Sequence, residues 1–226
     1  MRLLLIRHGQ TPSNVEGLLD TRIPGPGLTT LGLQQAIAVP IAIEDEAVDA
    51  IFASVQVRTQ ITAAPLSADR GIEVIVREGI REISSGSYEM LGDRASIDRY
   101  LEAIYTWADG NHNYRLPGGE TGAEIMERFD AVVREAFDAG FTNPVFFAHG
   151  AVIRLWSGIS ASNLDVEYIS EHSLDNTGIV ILEGDPDNGW TAISYMGDAL
   201  GGLALDDDRS GPAGEPLDAA STSNDA

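Results

Sequence analysis

The chain has 226 residues, 43% of them hydrophobic, with 35 acidic against 14 basic side chains and a formal net charge of −21. That apolar content supports one sizeable core and excludes a wholly disordered chain, and no apolar run reaches the length of a bilayer span. The charge argues against nucleic acid or anionic membrane as a partner; the lack of cysteine excludes disulfides, Cys-ligated zinc, iron–sulfur clusters and thiol catalysis.

All 14 bases are arginine, from either a GC-rich genome or a salt-adapted surface, which composition does not separate. Any arginine that binds an anion here works against a repulsive background, so such a site has to be a concentrated pocket. The N-terminus lacks a signal-peptide core, and with the absence of cysteine this predicts a cytoplasmic protein.

Arg2 to Arg7 is a continuous aliphatic run, which predicts a parallel strand buried on both faces. A polar loop, Gly9 to Gly27, precedes a helix capped by Thr29 or Thr30 that runs to about Ile43, with Pro40 kinking or ending it. Val48 to Ser54 reads as a second strand, Arg58 to Ala68 as a helix, and Glu73 to Arg77 as a third strand leading to a loop with Glu82. Helical spacing of apolar residues returns between Asp93 and Asp109. Thr121 and Glu124 form a capping box for a further helix that stops at Gly140. Pro144 to Ala148 is a fourth strand, followed by a short helix; Gly178–Glu183 and Trp190–Met196 form a hairpin. The alternation predicts a three-layer α/β/α domain over residues 1–205, with a mainly parallel sheet and antiparallel pairing towards its end. From Asp206 to Ala226 the chain is acidic and poor in large apolar residues, predicting a disordered tail.

Two His-Gly pairs, His8-Gly9 and His149-Gly150, fall at the C-terminal ends of predicted strands, the edge where open α/β sheets bind ligands. Glycine lets the backbone turn sharply there, neutral imidazole can attack phosphorus, and Arg7 offers a fork of donors suited to phosphate oxygens. Taken singly, each pair is equally a core histidine satisfied by backbone.

Arg7-His8-Gly9-Gln10-Thr11-Pro12-Ser13-Asn14 resembles the signature of the histidine phosphatase superfamily, the phosphoglycerate-mutase-like clan. The likeness continues in family order through Leu28 to Ala36, Ser54 to Ala63, Arg81-Glu82 with Gly86 to Glu89, Pro117 to Thr121, and Ala148 to Arg154. Two departures stand out: Gln56 replaces the usual leucine, and Met90 replaces a glycine after Glu89, which puts the conformation of that loop in question. The resemblance implies that His8 is the nucleophile and that Arg7, Arg58 and His149 line the phosphate pocket. It further implies a hydrogen bond from Asn14 to the same group, and Glu82 as general acid and then base. It implies neither metal nor cofactor, and a small phosphorylated metabolite as the ligand.

Plainer roles stand beside these. Arg58 is equally a surface helix arginine, Asn14 a loop-shaping residue, and Glu78 and Glu89 compete with Glu82. His112 and His172 match no motif; Tyr88, Tyr100, Tyr105 and Trp107 read as packing residues, although Trp107 and Tyr114 lie in sequence near the loop that can border the pocket. The basic and aromatic context of the glycolytic mutases after the acid is absent, Ile83-Ser84-Ser85 following instead. Hydrolysis of a phosphomonoester is therefore expected over mutase-type transfer, with a non-catalytic phospho-ligand-binding domain as the alternative outside enzymes. Oligomeric state is not legible.

Overall fold

The computed structural model describes residues 1–206 and 209–214. Among these, one six-stranded sheet is built from β1 (Arg2–Arg7), β2 (Ala50–Ser54), β3 (Val74–Arg77), β4 (Pro144–Ala148), β5 (Ile179–Asp185) and β6 (Gly189–Met196), in the order β3-β2-β4-β1-β5-β6. The first four are mutually parallel, and β5 pairs antiparallel with both β1 and β6, as the chain order predicts.

Alternation along the strands sends side chains to two cores. Leu4, Ile6, Ile51, Ala53, Val145 and Phe147 pack beneath α2 (Thr30–Ala42) and α3 (Val57–Arg70). Leu3, Leu5, Phe52 and Phe146 meet the larger layer of α4 (Arg94–Ala108), α5 (Gly122–Asp138) and α6 (Gly150–Ser160) on the other face. Every residue of β1 beyond Arg2 is buried, as a strand covered on both faces requires.

The predicted caps form. Thr29 accepts from the Gly32 amide to start α2, and Thr121 and Glu124 make the reciprocal capping box of α5. Pro40 sits inside α2 without ending it, the helix continuing to Ala42. Two short helices fall in segments that carry too few periodic residues to announce them: α1 (Pro12–Val15) in the polar loop after β1, and α7 (Val166–Glu171) before β5.

The tail expected to be disordered from Asp206 is different where it is described. Residues 209–214 lie on the domain, with Ser210, Gly211, Pro212 and Gly214 buried and a 3₁₀ turn over Pro212–Gly214. Composition argues from apolar side chains, whereas this segment packs through backbone and glycine. The remainder of the predicted tail, residues 207–208 and 215–226, lies outside the described residues.

Candidate active site

Parallel pairing of β1 with β4 sets Arg7 opposite Ala148, so both His-Gly pairs leave the sheet side by side. The His8 and His149 rings meet edge to face with centroids 5.2 Å apart. Glycine at position 9 is obligatory, because a Cβ there would stand 2.6 Å from the Gly32 carbonyl oxygen of α2.

The hydrogen bonds define the tautomers. His8 Nδ1 lies 2.8 Å from the Gly9 carbonyl oxygen and donates to it, which leaves Nε2 with its lone pair free. In His149, Nδ1 accepts from Arg58 Nε at 3.3 Å, so the proton sits on Nε2, which is buried with no acceptor. Burial first, and the Arg58 guanidinium second, hold both imidazoles well below the ordinary histidine value, so both are neutral at pH 7.

Arg7 and Arg58 are buried cations that pair with no carboxylate among the described residues. Arg7 donates through Nη1 to the Leu174 carbonyl at 2.6 Å and through Nη2 to the Ser210 carbonyl at 2.5 Å; its Nε has no acceptor. Arg58 Nη2 reaches the Asp20 carbonyl at 3.2 Å, and its Nη1 has no acceptor. Burial draws the Arg7 guanidinium down to about 10, which leaves it cationic at neutral pH.

Both arginines, His8, Asn14 and Glu82 line one cavity of about 30 Å³. Glu82 takes three backbone N–H bonds, from Ile83 at 2.9 Å, Val152 at 3.0 Å and Ala151 at 3.2 Å, the last two from the first turn of α6. Burial nevertheless outweighs these bonds and raises its carboxyl above the ordinary glutamate value. The competing acids stand elsewhere. The Glu78 side chain is 74% exposed, and the Glu89 carboxylate accepts from Thr21 and Ser85.

Asn14 lines the cavity and also shapes the loop: its Oδ1 accepts from the Thr11 amide and hydroxyl and from Asn176 Nδ2. Gln56, the departure from leucine, is fully buried and ties three loops together. Its Oε1 accepts from the Glu82 amide and the Ser54 hydroxyl, while its Nε2 donates to the Thr21 carbonyl. The loop before Glu82 is braced by Arg128, which donates to the Gly79 and Arg81 carbonyls and pairs with Glu120, itself paired to Arg81. Met90 takes φ +61°, so the loop keeps a conformation suited to glycine although glycine is missing.

Several lining residues escaped sequence reasoning. Tyr100 borders the cavity and hydrogen-bonds the Ile83 carbonyl; only its helical spacing was legible, and that signals packing. Asn176 donates to the His8 carbonyl, and Thr62 accepts from the Gly9 amide. Pro212 and Ala213 form part of the wall, contributed by the segment read as a tail. Conversely, Trp107 is buried on α4 against Gly122 of α5, donating to the Tyr114 carbonyl, and neither it nor Tyr114 borders the cavity. His172 stacks on Tyr168 at the surface.

A second, wider cavity of about 340 Å³ shares Thr21 with the first and is lined also by Arg22, Arg81, Ser84, Glu89 and Gly118–Gly119. Both of its arginines already face carboxylates, Arg22 that of Glu89 and Arg81 that of Glu120.

Comparison with known proteins converges on one family. The sequence profile described as Histidine phosphatase superfamily (branch 1) matches residues 3–196. The PE-PGRS family protein PE_PGRS11 of Mycobacterium tuberculosis is 35% identical over 216 residues, 88% of this chain, which spans only 37% of that protein's length. The adenosylcobalamin/alpha-ribazole phosphatase of Escherichia coli is 29% identical over 69% of this chain and 76% of its own. Among solved structures, a mycobacterial glucosyl-3-phosphoglycerate phosphatase superimposes with a TM-score of 0.71, covering 87% of this chain and 98% of that one at 24% identity, a likeness of fold. Among the described residues no helix is long and apolar enough to cross a membrane.

Proposed function

The chain belongs to the histidine phosphatase superfamily, and from that premise we propose that it hydrolyses a small phosphomonoester through a phosphohistidine on His8. The observation that carries this reading is the set of buried donors without acceptors beside the nucleophile: Arg7 Nε, Arg58 Nη1 and His149 Nε2. A buried donor left unpaired costs about 1–3 kcal/mol, more when charged. Arg7 and Arg58 line the cavity that holds His8, His149 meets His8 and Arg58 without lining it, and an anion in the cavity would supply acceptors that the arginines lack.

In the proposed reaction His8 Nε2 attacks phosphorus in line with the leaving oxygen. The phosphorus–oxygen bond to the leaving group breaks as the N–P bond forms, and the Glu82 carboxyl gives its proton to the departing oxygen. The Glu82 carboxylate then takes a proton from water, whose oxygen attacks the phosphohistidine; inorganic phosphate leaves and both residues return to their starting states. Charge on the phosphoryl oxygens is met by Arg7, Arg58 and His149, preorganised in a site from which water is nearly excluded.

The leaving group extends past Thr21 into the wider cavity. With Arg22 and Arg81 already facing carboxylates, that cavity offers no free cationic cluster for a second phosphate, which favours hydrolysis over mutase transfer. Relatives named as phosphatases support the same class.

Rapid quenching after brief incubation with an aryl phosphate, EDTA present, tests the reading. Acid-labile, base-stable phosphate is expected on the His8 peptide, and His8→Ala should lose turnover by several orders of magnitude while keeping its fold. Turnover retained in His8→Ala rejects the mechanism; phosphate bound without turnover by the intact chain assigns the pocket to a binding module.

A further inference from the structure

The Arg7 guanidinium is held by the chain's own C-terminal segment. It has five N–H donors, and a buried cation without a carboxylate needs them fixed. Leu174 takes one hydrogen of Nη1 and Ser210 one of Nη2, and Nε, the guanidinium nitrogen nearest the backbone, is the one with no acceptor; the residue lines the cavity. One of the two carbonyls that set this orientation is supplied by residues 209–214.

The fit of that segment is made through backbone. A Cβ on Gly214 would stand 2.0 Å from Arg7 Nη1 and 2.7 Å from the Leu174 carbonyl oxygen, and one on Gly150 would stand 2.9 Å from the Ala213 carbonyl oxygen. Gly211, at φ +82°, lies against the Asn14 side chain. The Leu174 amide donates to the Gly214 carbonyl at 3.0 Å, Arg154 donates to the Ala213 carbonyl at 3.3 Å, and the Ser210 hydroxyl bonds the Asp175 carboxylate. Pro212 and Ala213 then close one side of the cavity, which at about 30 Å³ holds about two waters.

We propose that residues 209–214 are a working part of the active site, a strap in which the Ser210 carbonyl is a positioning group that aims Arg7 Nε at the phosphoryl oxygens. This rests on the phosphatase reading above. The strap lies against Arg7 and Asn14, whereas the wider cavity shares Thr21 with the first and is lined by no strap residue, so the strap covers the phosphoryl group without lining the space assigned to the leaving group. The rival interpretation, in which the Ser210 carbonyl usurps a donor that phosphate needs and so inhibits, predicts the opposite sign in every measurement.

Two full-chain variants decide between them. Gly214→Ala drives the strap off Arg7, and Ser210→Ala removes its anchor on Asp175 while leaving the carbonyl in place. For Gly214→Ala, kcat on an aryl phosphate should fall about 10–100-fold, the value of one charge-assisted hydrogen bond, and inorganic phosphate measured by calorimetry should bind about tenfold more weakly. The Arg7 Nε–H resonance, shifted by phosphate in the parent, should lose its response, which a merely structural role would not produce. Ser210→Ala should move all three readouts the same way by a few-fold, and it decides the matter if Gly214→Ala fails to fold. Unchanged or faster turnover with equal or tighter phosphate binding would overturn the strap as a positioning element. An intact chain that binds no phosphate at all would instead reject the phosphatase reading, and the strap's role with it.

Discussion

Two neutral imidazoles and a carboxyl pushed towards its acid form, in a site lined with guanidinium groups, are an unusual company, and each has its own cause. Burial and the Arg58 charge disfavour the imidazolium of His8 and His149, and burial disfavours the carboxylate of Glu82. The signs set the pH profile. In the proposed mechanism turnover needs His8 unprotonated and Glu82 protonated, so kcat/KM, corrected for the substrate's own second ionisation, should rise through a limb below pH 6.5 and fall through one above pH 4.5. An acid limb at or above 6.5 would mean that His8 is solvated. Glu82→Gln should remove the alkaline limb and discriminate between substrates. Alkyl phosphates, whose leaving oxygen needs a proton, should slow by about 10²–10⁴-fold and activated aryl phosphates far less. Equal losses on both would place the proton elsewhere. The histidines also tie stability to pH. Because each is held neutral in the folded chain, the unfolded chain binds protons first as pH falls below about 6.5, and stability declines from there.

At the scale of elements, the site depends on loops held at particular backbone angles. The His8-Gly9 turn presses against Gly32 of α2, where a Cβ would stand 2.1 Å from the Gln10 carbonyl oxygen, so α2 serves as the floor of the loop that carries His8. Gln56 at the start of α3 is the junction of the Glu82 and Thr21 loops, which explains how a polar residue occupies a fully buried position where the family pattern has leucine. Met90 shows the complementary case. Its left-handed backbone costs a non-glycine residue about 1–2 kcal/mol, and the amide of Met90 is kept in place by the Leu19 carbonyl. Met90→Gly should therefore raise stability by about 1 kcal/mol, which in a domain of this size is roughly 2–4 °C in Tm. A lower Tm in that variant would show that the exposed Met90 side chain contributes more than its backbone costs.

Across the whole molecule, what was legible is what local chemistry writes into adjacent residues: the buried strands, the N-cap at Thr29, the capping box at Thr121, and the motif carrying Arg7, His8, Arg58 and Glu82. The strap was not legible, because Ser210 to Gly214 reaches Arg7 through carbonyls, which every residue carries, and through glycines that composition counts as disorder. Tyr100 and Asn176 were missed for a related reason, since each reaches a backbone carbonyl, that of Ile83 and that of His8, which carries no side-chain signal. Net charge is the one global quantity that the composition does state, and it has a kinetic consequence. A phosphomonoester dianion approaches a molecule of formal charge −21 before it meets Arg7 and Arg58. At 10 mM salt the Debye length is about 30 Å, comparable with the whole domain, so the substrate feels the repulsion of the entire surface; at 150 mM it is about 8 Å and mainly the local arginines act. The buried arginines are screened much less than the exposed acids. KM for a dianionic substrate should therefore fall between 10 and 150 mM NaCl, by roughly three- to tenfold for a repulsion of this size, the reverse of the usual weakening of phosphate binding by salt. A neutral-to-cationic substrate analogue should show little of that fall. If KM instead rises steadily with salt, the arginine pocket dominates the field even at long range, and the acidic surface plays no part in substrate capture.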